Sequence, residues 1–129
     1  MKKKVFLYQF VILLILLSCK TGEKNSVKNC NSEKIKFDIS KLDEKGLYGN
    51  ENGKVSLDYE FCIPNNPTYL AEVLAIDATL KKVPSTGKSK CETNSILIMG
   101  NTFNENYHLI LCKIANLDYV KEINQTNWE

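Results

Sequence analysis

The chain has no arginine: all 17 of its basic residues are lysine, and they stand among 129 residues with a single histidine and a single tryptophan. Without arginine there is no planar fork to grip phosphates or base edges through paired hydrogen bonds. A formal net charge of only +2 leaves little excess to release counterions from a nucleic acid, so no nucleic-acid partner is expected. One histidine cannot serve a multi-histidine metal centre. No two of the five cysteines are spaced as Cys-x-x-Cys, which removes the usual structural zinc site and the thioredoxin-type redox pair. No metal or cofactor is expected. Proline is scarce too, at Pro64, Pro67 and Pro84, so each marks a local break.

What is present is concentrated at the start. Lys2, Lys3 and Lys4 precede an apolar run from Val5 to Leu17, interrupted only by Gln9. A basic segment followed by a short apolar one is the layout of an export signal. As a helix the 13-residue run spans about 20 Å, short of the roughly 30 Å of a bilayer core. It ends in Leu16-Leu17-Ser18-Cys19, which resembles the lipobox of bacterial lipoprotein precursors: an aliphatic residue, a tolerant position, a small residue, then cysteine. The resemblance covers residues 1–19. It implies acylation of Cys19 with diacylglycerol, cleavage before it, and usually a further acyl (palmitate-type) chain on the new amino terminus. Two or more acyl chains hold a protein firmly on a membrane. The expectation is a lipid-anchored protein of the cell envelope, with membrane and envelope protein as its partners. Lys20 after the lipidated position favours the outer over the inner membrane by the enteric-type sorting rule.

Loss of residues 1–18 removes three lysines and no acids, leaving 14 lysines against 15 carboxylates and a net charge of about −1. Residues 19–33 carry one apolar side chain besides the cysteines, Val27, and read as a lipidated cysteine and flexible tether. Residues 34–53 read as an N-terminal extension, and 54–129 as a small α+β domain.

Within the extension, Ile35, Phe37 and Ile39 alternate at the period of a half-buried strand, and Ser40 with Asp43 suggests a short capped helical turn ending at Gly46. The turn-rich Gly49–Gly53 follows. Val55, Leu57, Tyr59, Phe61 and Ile63 then alternate with polar residues and Cys62, which predicts one strand, stopped by Pro64. Asn66-Pro67 supplies an N-cap and a proline at the first helical position, opening a helix to about Asp77. A short edge strand is expected near Ser89–Glu92, while Thr79–Val83 either continues the helix or begins a short strand. Ile96–Met99 is apolar on both faces, as a central strand is. A second helix over about Glu105–Asn116 and a last strand over Tyr119–Ile123 complete the order.

This order resembles a ferredoxin-like βαββαβ sandwich, an antiparallel sheet with two helices on one face. The fold carries many functions and implies none. Its metal-chaperone branch needs Cys-x-x-Cys in the first loop, where this chain has Ile63-Pro64-Asn65-Asn66-Pro67. The ending from Leu117 through Tyr119-Val120 to Ile123 is similar to subtilisin-prosegment domains, which would imply a protease inhibitor or prosegment.

Four cysteines remain besides Cys19. Alternation puts Cys62 on the face opposite Tyr59, and a cysteine near the end of the neighbouring edge strand lies at the same end of the sheet, so a Cys62–Cys91 bridge is the expected pairing. Cys30 either staples the tether to the domain or joins another chain. Cys112 either pairs with Cys30 or stays buried as a small hydrophobe. Cys112 with His108 would make a thiol–imidazole pair, against the plainer reading of His108 as an exposed residue in the first turn of a helix. Asp58 and Glu60 share a face and would suit acid–base hydrolysis, against the plainer reading of solvated charge. Gly100-Asn101-Thr102 would bind an anion at a helix N-terminus, against turn plus cap. The expectation is therefore a non-enzymatic binding module, with a small envelope hydrolase as the alternative from another class.

Overall fold

The computed structural model describes residues 29–84 and 91–128. The signal, Cys19 and most of the expected tether lie outside the described residues. The architecture is α+β, with two α-helices, a two-stranded antiparallel sheet and a four-stranded antiparallel sheet among the described residues.

The expected strand from Val55 is divided. β1 (Leu47–Tyr48) and β2 (Val55–Ser56) form a hairpin, and β3 (Asp58–Pro64) belongs to the larger sheet. Leu57 is the break. Its N–H donates to Thr102 Oγ1 at 2.9 Å and its C=O accepts from Thr102 N–H at 2.9 Å, so Leu57 is held beside the end of a different strand. Tyr59, Phe61 and Ile63 are each 1% exposed, whereas Val55, at the same parity, is 50% exposed.

Asn66 Oδ1 accepts from Thr68 N–H at 2.8 Å and caps α1 (Pro67–Ile76), with Pro67 in the first turn where no N–H is missed. Asp77 ends it: the backbone turns extended there, and its side chain accepts from the N–H and hydroxyl of Thr79. The chain then enters β4 (Lys81–Val83), so the edge strand forms here and not at Cys91 and Glu92, which precede the next strand as loop. The remaining elements are β5 (Ser95–Asn101), α2 (Tyr107–Ala115) and β6 (Asn124–Gln125).

The large sheet runs β4-β5-β3-β6, with every neighbouring pair antiparallel. Phe61 pairs with Ile98 and Ile63 with Ile96, and this face meets Val73 of α1 and Ile110, Leu111 and Ile114 of α2 in one core. Each fully buried aliphatic or aromatic side chain contributes about 1.5–3 kcal/mol. Gly100 is required by packing: a Cβ there would stand 2.4 Å from the Tyr59 ring.

Two boundaries differ from the expectation. Residues 29–33, read as the end of a free tether, are docked on α2: Cys30 is bonded to Cys112, Asn31 N–H donates to Asn116 Oδ1, and Asn116 Nδ2 donates to the Asn29 carbonyl. Residues 34–53 are likewise part of the domain, with Leu42 buried and Ile35, Phe37 and Ile39 packed on the core. Instead of a strand, Ile35 makes a single parallel bridge to Ile123, and the helical turn is a 3-10 turn, Ile39–Lys41, capped by Asp38. Asp43 accepts from the N–H groups of Lys45 and Leu47, holding the turn before β1.

The last strand is also displaced, from Tyr119–Ile123 to Asn124–Gln125. Val120 and Ile123 are both 0% exposed although three residues apart. Val120 N–H is taken by the Leu117 carbonyl in a turn, and Ile123 bonds to Lys34 and Lys36, so the backbone between them is not a strand. The chain joins the sheet only after Ile123.

Candidate functional site

The late start of β6 opens a concavity beside β3. β6 pairs with β3 only at Tyr59–Gln125 and Glu60–Asn124. Towards Pro64 the chain peels away, because Ile123 spends its N–H on the Lys34 carbonyl and its C=O on the Lys36 N–H. Between the uncovered edge of β3 and the Tyr119–Glu122 segment lies a cavity of about 910 Å³. That volume is in the range of small-molecule sites.

Backbone polarity in the cleft follows from the ladder. Leu57 bonds across to Thr102 on the β5 side, and Asp58 accepts from Thr126 N–H on the β6 side, at 2.8 Å. Alternation then directs the N–H and C=O of Glu60 to β6 and those of Cys62 into the cleft. Among the described residues, Cys62 has no backbone partner there. Pro64, next at that parity, has no N–H, and its carbonyl accepts from Asn66 N–H.

The walls are acidic. Glu60, Glu92 and Glu122 line the cleft, with Lys121 as the only lining cation among the described residues. Lys121 Nζ pairs with Glu92 across the mouth, both side chains being about three-quarters exposed, and this contact holds the Glu92 carboxyl below its usual range. A pair so exposed contributes little to stability and opens readily. Glu60 is only 4% exposed, and among the described residues Thr126 Oγ1 is its hydrogen-bond donor, at 3.3 Å. Glu122 accepts from Asn124 Nδ2. Tyr119 is fixed by its ring against Tyr69, centroids 4.3 Å apart, and by donating to Glu72 Oε2 at 2.7 Å. Burial first, then the Glu72 carboxylate, push its hydroxyl well above the ordinary tyrosine range.

The residues singled out from the sequence are distributed differently. Cys62 and Cys91 are joined, and Cys62 lies on the cleft floor. Cys30 and Cys112 are joined, which leaves Cys112 no thiol for His108 to activate. His108 is exposed, its ring 4.1 Å from that of Tyr107. Asp58 and Glu60 are held in separate contacts: Asp58 accepts from Asn101 Nδ2 at 2.7 Å and Trp128 Nε1 at 2.8 Å, while Glu60 turns to Thr126. Gly100-Asn101-Thr102 is spent on packing and turns, and α2 begins only at Tyr107, so these amides do not lie at its N-terminus. Among the described residues no group of three or more histidine, cysteine, aspartate or glutamate side chains is placed to hold a metal ion. No described helix is long and apolar enough to cross a membrane. Cys19 lies outside the described residues.

The cleft residues that sequence reasoning missed are Glu92, Tyr119, Lys121 and Glu122. Nothing in the sequence pattern signals them, because they come together only through the Ile123 contacts with Lys34 and Lys36. Comparisons with protein-family models, curated proteins and solved structures find no match to this chain.

Proposed function

We infer that this is a lipid-anchored bacterial envelope protein, held through Cys19, whose folded domain is a non-enzymatic binding module that engages a protein partner at the β3 cleft. The cleft carries the reading: it combines a cavity of about 910 Å³, a strand edge without a backbone partner among the described residues, and an acidic wall in one place. Leu16-Leu17-Ser18-Cys19 supports the anchor, and Lys20 supports the outer membrane. The element order β3-α1-β4-β5-α2-β6 with sheet order β4-β5-β3-β6 supports a ferredoxin-like βαββαβ sandwich preceded by a short hairpin.

A photo-cross-linking residue placed at Asn127, in the cleft, and separately at Leu74, on the outer side of α1, tests this in intact cells. The reading expects a discrete adduct from Asn127 alone. Equal labelling from both positions, or none from either, would refute it.

A further inference from the structure

The acidic cleft has one occupant that its geometry favours. We propose that it takes an extended polypeptide segment carrying a lysine or arginine side chain, which adds as a strand against Cys62 of β3. This rests on the cleft being the binding site and names the chemistry of what enters it.

Three observations support the occupant. First, Cys62 directs an N–H and a C=O into the cleft with no backbone partner among the described residues. A donor and an acceptor on one strand residue are what an added strand pairs with, in the manner of β-augmentation. The backbone of Glu122, on the opposite wall, has no backbone partner among the described residues either.

Second, the charge is one-sided. Lys121 is matched by Glu92, which leaves the carboxylates of Glu60 and Glu122 lining the cavity with no further lining cation among the described residues. Glu60 is 4% exposed. A carboxylate so enclosed interacts with an entering cation more strongly than one in open water. An anionic or purely apolar segment would leave both carboxylates uncompensated.

Third, the other outer edge of the sheet is protected. β4 is three residues long, and Lys81 and Lys82 are both exposed on it. Short length and lysines are how an edge is kept from pairing. The β3 edge beside the cleft carries no such charge at Cys62, Ile63 or Pro64.

The test uses the full chain in detergent micelles, with disulfides formed, and three fluorescent hexapeptides read by anisotropy. One alternates valine and lysine; one alternates valine and glutamate; the third repeats the lysine peptide with alternate backbone amides N-methylated. The lysine peptide is expected to bind at least tenfold more tightly than either of the others. Glu122→Lys is expected to weaken it about tenfold, and Lys82→Glu, on the far edge, to leave it unchanged. Equal binding of the N-methylated peptide would overturn strand addition and leave plain charge attraction. Equal binding of the glutamate peptide would overturn the cationic occupant. If no peptide binds while Asn127 still cross-links a partner, the strand inference falls and the binding cleft stands. If neither occurs, both fall.

Discussion

Replacing Thr102 by valine should loosen the attachment of the hairpin to the domain, and the size of the effect follows from two hydrogen bonds. Thr102 is 0% exposed. Its Oγ1 donates to the Gly46 carbonyl at 2.7 Å and accepts from Leu57 N–H at 2.9 Å, joining the turn before β1 to the link between β2 and β3. Valine keeps the shape and removes both bonds. A buried polar group left without its partner costs about 1–3 kcal/mol. Gly46 is buried and Leu57 partly so, which places the loss at about 2–4 kcal/mol. Thr102→Ser makes the opposite change, keeping the hydroxyl and removing one methyl, at about 1 kcal/mol. Urea unfolding followed by circular dichroism, disulfides intact, should therefore rank wild type above serine and serine above valine. At about 4–8 °C per kcal/mol for a domain of this size, the valine variant should melt at least 8 °C lower. A valine variant as stable as the serine variant would refute the argument that these bonds, and not the packing of the methyl, hold the hairpin.

Gly46→Ala should destabilise by at least about 2 kcal/mol in the same assay, because φ is +76° and a Cβ would stand 1.6 Å from the Thr102 carbonyl oxygen. Cys30→Ala with Cys112→Ala should cost about 4.5 kcal/mol on the chain-entropy model for a sequence separation of 82, and the Cys62–Cys91 pair about 3.5 kcal/mol for a separation of 29; equal urea midpoints for the two double variants would contradict that order. Asp43 has its carboxyl held below the ordinary aspartate range, chiefly because Leu47 N–H and then Lys54 favour its charged form. Its contribution is present above the unfolded value and is lost as pH falls through the lower folded value, so the acid limb of a pH–stability profile should flatten in Asp43→Asn. Cys19→Ser should abolish incorporation of labelled palmitate and release the chain from the membrane fraction.

Much of the fold is legible because the decisive signals are local. Asn66-Pro67 places the start of α1 by capping chemistry alone, and the alternation Tyr59, Phe61, Ile63 places β3. The errors arise where a tertiary partner decides. Val55 and Leu57 continue the alternation of β3, and nothing in the period reveals that Thr102 captures Leu57 and hands Val55 to a different sheet. Ile35, Phe37 and Ile39 alternate as a strand does, but Ile123 offers them a single bridging position. The cleft was illegible for the same reason. Its walls come from three separated stretches around Glu60, Glu92 and Glu122, and it exists only because Ile123 binds Lys34 and Lys36, pulling the chain away from β3. Glu60, two residues from Asp58, reads as solvated charge until Thr126 and Asn124 are seen beside it.

The Cys30–Cys112 bond also sets a route for mechanical load. A pull applied to the chain ahead of residue 29 meets a covalent shortcut at Cys30 and passes to Cys112 in the second half of α2. Asn116, reaching back to Asn29 and Asn31, shares it. From there five residues lead to Leu117 and so to the wall of the cleft. Load carried on to the Tyr119–Glu122 wall thus bypasses residues 31–111, whereas load borne by the opposite wall, at Cys62 of β3, enters the sheet directly.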